Sequence, residues 1–214
     1  MSLPTATGRD RIWLYSSTIL FQWALTALVG WRAFARGLTR AELGLSVDFT
    51  AGLLVLTIAG GLLIACLHWM NLRRMSRSEH EAVNALRAIG ARLFPRTATE
   101  LVFYILLSLT AGLCEEFLFR GFVIAVLFRL GLASWLVVIL SSFMFGIAHL
   151  YQGRGGSMGT GIVGTVFATA RIAYNSLLPV AIWHAVLDIV AGIAGSRYLA
   201  APKADSGNLN AVQA

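Results

Sequence analysis

Charged residues are scarce in this sequence. They make up 13% of it, whereas about a quarter of a soluble domain is charged. Hydrophobic residues make up 57%, and the mean hydropathy is +0.74. These values exclude an ordinary soluble domain and predict an integral membrane protein with lipid as its surroundings. The net charge of +7 is spread between apolar segments instead of lining one amphipathic face, so we predict no nucleic-acid partner.

Cysteine is also scarce, and its positions carry little functional information. Cys66 and Cys114 both lie in apolar segments, so they do not indicate a redox compartment. Cys114 directly precedes a pair of glutamates, which would suit a nucleophile, but nothing in the sequence marks it as a thiolate. We interpret it as a small buried thiol. The run GTGIVG at residues 159–164 lacks a βαβ context, so we interpret its glycines as helix-packing positions.

Long apolar segments determine the predicted fold class. A helix needs about 20 apolar residues to cross a bilayer, and the third segment is long enough to be tilted or broken. We therefore predict an all-α, polytopic bundle of about six transmembrane helices. The segments lie near residues 12–31, 49–70, 98–130, 133–151, 157–175 and 177–199.

The distribution of basic residues predicts the orientation. Of the 17 Arg and Lys residues, eleven fall on the side of the termini, five fall on the other side and Arg120 lies within a span. Because cytoplasmic loops carry an excess of Arg and Lys, we predict that both termini are cytoplasmic. If the third segment is two short helices, the later loops lie on the opposite side of the membrane from the one assigned here. The arginine-rich, lysine-poor composition suggests a bacterial inner membrane.

The N-terminal part, residues 1–94, is predicted to hold two spans and a short amphipathic helix. Its first span resembles a signal peptide, with AFA at 33–35 as a cleavage site, but the apolar core is long and we favour an uncleaved anchor. In residues 79–94 apolar side chains recur at helical spacing, which indicates an interfacial helix or a soluble cap helix. The polar segment 200–214 is predicted to be disordered.

Ionisable residues inside the apolar segments are the main functional signal. A charge at the centre of a membrane helix costs about 2.5 to 3.5 kcal/mol on insertion scales, so such residues are functional by default. Helical spacing places Glu116 and Arg120 on one face, whereas Glu115 points about 100° away. The remaining polar residues lie in two later spans, so three helices can aim polar faces at one pocket. These residues are His149, His184 and Asp188.

Such a pocket suits hydrolysis. A carboxylate withdrawn from bulk water can act as a base toward a water molecule, and histidines can position that water or donate to an oxyanion. The alternative is purely structural, with a Glu116–Arg120 pair and a His184–Asp188 hydrogen bond holding helices together. The coincidence of all three groups, together with the additional Glu115, favours a functional site.

At these residues the sequence resembles a known family. The motifs EEFLFR (115–120), FGIAH (145–149) and HAVLD (184–188) resemble the successive motifs of the CAAX prenyl protease and bacteriocin-processing family, CPBP or ABI, of intramembrane glutamic-type endopeptidases. The resemblance covers about residues 95–195. It implies a protease core at 95–199 that acts on a peptide or membrane-anchored protein.

The resemblance also implies roles for individual residues. Glu115 would activate the attacking water together with His149, and Glu116 with Arg120 would hold the helix in register. His184 and Asp188 would lie on the oxyanion side. An ionised Asp188 cannot donate a hydrogen bond, so either it is protonated or it orients His184 through a direct bond; we favour the second.

Three alternatives accompany this interpretation. Glu115, His149 and His184 would supply three ligands to a zinc ion, although the sequence has no H-E-x-x-H motif, and we favour a reaction without a cofactor. A proton-coupled transporter would also bury such residues, but no inverted repeat is visible. A non-catalytic immunity or scaffold protein would keep the fold without needing the site. The residues do not select a particular peptide substrate.

Overall fold

The computed structural model describes residues 6–78 and 81–199. Every regular element in these ranges is helical, which confirms the all-α prediction. A π-helical segment, Phe117–Val123, joins α4 to α5, and a short 3-10 turn, Leu150–Gln152, joins α6 to α7. The predicted polar tail lies outside the described residues. The helices are α1 Gly8–Ala35, α2 Ala51–Met75, α3 Glu81–Leu93, α4 Ala98–Glu116, α5 Ile124–Arg129, α6 Ser134–Ala148, α7 Gly153–Tyr174 and α8 Leu178–Tyr198.

The predicted count of six spans is approximate. Four helical stretches in the described ranges are long and apolar enough to cross a membrane: α1, α2, Ala98–Arg129 and α8. The stretches predicted at 133–151 and 157–175 qualify only as a joined pair bent by 58°, which would make a fifth span. The reason is length and composition, because α6 has only 15 residues and α7 begins with a polar, glycine-rich turn.

The predicted long third segment is continuous. Its α4, π-helical and α5 portions together form a 32-residue span, so the chain bulges at Phe117–Val123 without breaking. A π-helical turn inserts an extra residue into the helix and is frequently found at functional sites. Here it directly follows the glutamate pair and contains Arg120.

Helix α8 lies at the centre of the packing. It contacts α2 on one side and α4 on the other, while α1 packs on α4 and α6 packs on α7. The indole N–H of Trp183 in α8 donates to the Thr57 carbonyl in α2 at 3.0 Å. At the start of α7, the Ser157 hydroxyl donates to the Gly146 carbonyl of α6 at 2.6 Å. The ring of Phe145 in α6 also lies 5.8 Å from the ring of His184 in α8, so the inner faces of α4, α6 and α8 surround a common interior.

The loop between α1 and α2 is tied to the end of the third span. Arg129 donates to both carboxylate oxygens of Glu42, at 2.7 and 2.9 Å. The Arg129 guanidinium and the Thr39 backbone N–H hold the pKa of the Glu42 carboxyl at about 2. The carboxylate form, and with it this contact, is retained as the pH falls until it approaches that value.

Gly112 sets the approach of α4 to α8. A Cβ atom there would lie 2.5 Å from the Ala181 carbonyl oxygen and 3.0 Å from Ala185. We expect Gly112→Ala to separate the helices and to destabilise the fold by about 1 to 3 kcal/mol, the usual cost of overpacking. Thermal unfolding in detergent measures this loss. Gly159→Ala in α7 is the matched control, because a Cβ there meets nothing within 4 Å; equal stability of the two variants would contradict the prediction.

Candidate active site

The structure brings the six predicted site residues to one place inside the bundle. Glu115 and Glu116 end α4, and Arg120 follows in the π-helical segment. The remaining three come from other helices, with one residue at the end of α6 and two in α8. These residues are His149, His184 and Asp188.

A buried group of three side chains forms the floor of the site. Oε1 of Glu116 accepts from Nη1 of Arg120 and from Nδ1 of His184, each at 2.7 Å. Glu116 and Arg120 have no exposed side-chain area. Phe145 lies 3.9 Å below the guanidinium carbon, which adds a cation–π contact to the desolvated charge. The predicted Glu116–Arg120 pair is therefore confirmed, and it also fixes the ring of His184.

Glu115 points into the space above this floor. Its Oε1 accepts from the Gln22 amide at 2.7 Å. Its Oε2 is buried and has no hydrogen-bond partner among the described residues. That atom lies 3.5 Å from Nε2 of His149 and 3.9 Å from Nε2 of His184. A desolvated carboxylate oxygen thus faces two imidazole nitrogens across gaps too long for direct hydrogen bonds.

The backbone determines which nitrogen of His149 is available. Nδ1 lies 2.8 Å from the Phe145 carbonyl oxygen, one turn earlier. A carbonyl only accepts, so Nδ1 carries the proton and donates. In the neutral ring Nε2 is then an acceptor, directed at Glu115. Helix α6 ends at Ala148 and His149 is its C-cap residue, which puts this ring at the break before α7.

The predicted hydrogen bond between His184 and Asp188 is absent. Nε2 of His184 and Oδ2 of Asp188 are 3.8 Å apart, and the partner that holds the ring is Glu116. Helical spacing correctly placed both residues on one face, but Glu116 of another helix binds Nδ1 and so fixes the ring with Nε2 3.8 Å from Asp188. Asp188 is instead 38% exposed and lies at the open edge of the site.

Sequence reasoning missed two contributors to the site. Gln22 comes from the first span, far from the motifs in sequence, and Phe145 supports Arg120 through its ring face. Phe145 was noted only as part of its motif. The sequence could have identified Gln22, because it is a hydrogen-bonding side chain within a long apolar run, where polar residues are costly.

The candidate zinc ligands are Glu115 and His149, which lie above the floor, and His184, which belongs to it. Within residues 6–78 and 81–199, no group of three or more His, Cys, Asp or Glu side chains is arranged to hold a metal ion. Glu115, His149 and His184 are therefore not assigned as zinc ligands. A chelation experiment tests metal dependence directly.

Comparison with known proteins agrees with the motifs. Residues 97–190 match the family model for Rce1-like proteins, described as type II CAAX prenyl endopeptidase Rce1-like. No curated protein and no solved structure matches the chain. The matched range contains all six site residues and excludes α1, α2 and α3. Residues 97–190 are therefore similar to the Rce1-like family, which agrees with the resemblance to CPBP proteins that the motifs predicted.

Proposed function

We propose that this protein is a glutamic-type intramembrane endopeptidase in which Glu115 activates a water molecule. The observation that carries the proposal is the unpartnered, buried Oε2 of Glu115 opposite Nε2 of His149. Both atoms are hydrogen-bond acceptors, so they do not bond to each other. A water molecule that donates one proton to each would bridge them and present a lone pair to a substrate carbonyl.

The chemistry then follows the order of an amide hydrolysis. The water oxygen bonds to the carbonyl carbon, its proton passes to Glu115, and the carbonyl electrons move onto oxygen. Glu115 next delivers the proton to the amide nitrogen as the C–N bond breaks. Because base and acid are the same group, Glu115 ends the cycle in its starting form.

His184 is proposed to stabilise the oxyanion. Glu116 fixes Nδ1, so Nε2 points into the space between Glu115 and Asp188, 3.9 and 3.8 Å from their nearest oxygens. In the protonated ring Nε2 donates, and a donor held in a buried site needs no reorganisation during the reaction. Arg120 pairs with Glu116 and supplies its counter-charge, while that carboxylate holds Nδ1 of the His184 ring.

Asp188 is proposed to donate in its protonated form, because the direct bond to His184 is absent. We expect Asp188→Asn to keep most of the activity, since an amide N–H can donate in the same place. Asp188→Ala is expected to lower kcat by about a hundred to a thousandfold, the range for a lost oxyanion donor. Initial-rate kinetics of both variants measure the difference. Equal loss in both would contradict a donor role.

The proposed substrate is a peptide or protein held at the membrane, and the proposed location is a bacterial inner membrane with cytoplasmic termini. The match to a CAAX prenyl endopeptidase family favours cleavage near the membrane surface. It does not require a prenylated substrate. Terminal reporter fusions that are active only in the cytoplasm test the orientation.

Cleavage of a quenched fluorescent peptide library by the purified protein tests the function. We expect cleavage by the wild type before and after dialysis against a strong chelator, because the proposed base is a carboxylate. In the proposed reaction Glu115 activates the water without a Lewis acid. Loss of activity on chelation and recovery with zinc would make it a metallopeptidase. No cleavage of membrane-anchored or soluble peptides would favour a non-catalytic role or transport.

A further inference from the structure

Helix α1 contributes to the site, although it lies outside the region that matches the family. The Gln22 amide donates to Oε1 of Glu115 at 2.7 Å. A carboxylate only accepts, so the amide nitrogen must be the contacting atom. We propose that Gln22 is a positioning residue that sets the orientation of Glu115, an inference that rests on the proposed function.

The reason lies in the freedom of a glutamate side chain. Its terminal torsion is broad, so the carboxylate of Glu115 rotates easily unless something holds it. The two imidazole nitrogens lie 3.5 and 3.9 Å from Oε2, within reach of a small rotation. If the carboxylate moved to accept a hydrogen bond from Nε2 of a protonated His184, it would close the gap that a water must occupy. The Gln22 donor holds Oε1 on the opposite side and so keeps the gap open.

The register of α1 on α4 supports this role. The two helices run parallel and are joined at their N-terminal ends by a buried ion pair, Arg11 Nε to Glu100 Oε2 at 2.7 Å. Tyr15 packs edge-on against Tyr104 at 5.5 Å between ring centres. These contacts lie on the N-terminal side of Gln22, so they set the position along α4 that the Gln22 amide contacts.

Helix α1 stays in contact with the same span beyond Gln22. A Cβ on Gly30 would lie 3.5 Å from the ring of Phe117, so the helix stays close to the π-helical segment. Gln22 is therefore held between two contacts of α1 with the span that carries Glu115. Removal of α1 at the AFA sequence, residues 33–35, would take the donor away from the site.

A double-variant cycle tests whether the contact exists. Gln22→Met and Glu115→Met each leave a partly buried polar partner without its bond, so each lowers the melting temperature in detergent. We expect the double variant to lose less than the sum of the two single losses. Additive losses would overturn the contact. This readout needs no substrate, so it decides the contact even if the wild type cleaves nothing, a result that would count against the proposed function alone.

Steady-state kinetics test the positioning role. We expect Gln22→Met to lower kcat about ten- to a hundredfold with KM unchanged, the range for outer partners that orient metal-binding side chains by the same kind of hydrogen bond. Gln22→Asn keeps an amide but is one methylene shorter, so it shows the same loss and serves if the Met variant is unstable. Phe21→Met is the control, because Phe21 is 68% exposed on the outer face of α1. A wild-type kcat in both Gln22 variants would overturn the proposal.

Discussion

Replacing Glu115 with glutamine is expected to lower kcat/KM by about a hundred to ten thousandfold, the contribution of a general base. The glutamine carbonyl can still accept from Gln22, so the side chain keeps its place and only the proton acceptor is lost. The proton acceptor that the variant loses is Oε2 of Glu115, which is buried and unpartnered beside His149. Peptide cleavage by the purified variant measures the loss, and its unchanged melting temperature shows that it is folded.

The control for this variant is Glu42→Gln. Glu42 belongs to the loop between α1 and α2 and pairs with Arg129 at an exposed site. The same chemical change there should leave cleavage unaltered. Retained activity in Glu115→Gln would show that Glu115 is not the base. Asp188, the carboxyl at the open edge of the site, would then be the next candidate.

Replacing Arg120 with methionine is expected to give the largest loss of stability, about 3 to 5 kcal/mol. The variant leaves the carboxylate of Glu116 buried without its counter-charge, and it also removes the guanidinium that stacks on Phe145. Activity should fall with stability, because Glu116 also holds the ring of His184. Unfolding in detergent by heat or denaturant measures the change.

Two further variants isolate the reason for this loss. Combining Arg120→Met with Glu116→Gln removes the uncompensated charge, so part of the stability should return. Arg129→Met breaks an exposed pair, Arg129 with Glu42, and should cost little because water screens it. A loss for Arg129→Met as large as that for Arg120→Met would show that burial does not decide the cost.

Local sequence patterns were sufficient for the contacts within one helix. Glu116 and Arg120 are four residues apart, so helical spacing alone predicted their pair, and the structure confirms it. The same rule predicted a bond between His184 and Asp188, and that prediction was wrong. Spacing shows that two side chains share a face, but it does not show whether a stronger partner approaches from another helix.

Hydropathy was similarly reliable for the existence of spans and less so for their number. The four long apolar helices were predicted from composition and length, whereas α6 and α7 qualify only as a bent pair. A hydropathy pattern registers how apolar a segment is. It does not show that α6 ends at Ala148, where the chain turns so that the ring of His149 faces Glu115.

The sequence by itself determined that the chain is an all-helical membrane protein, which residues carry charge inside it, and which family its motifs resemble. These are properties of single segments, set by composition and by helical spacing. Only the tertiary structure decided that Glu116 holds His184, that Glu115 keeps one free oxygen, and that Gln22 reaches the site from α1. Those contacts depend on the packing of separate helices, whose relative register no local pattern specifies.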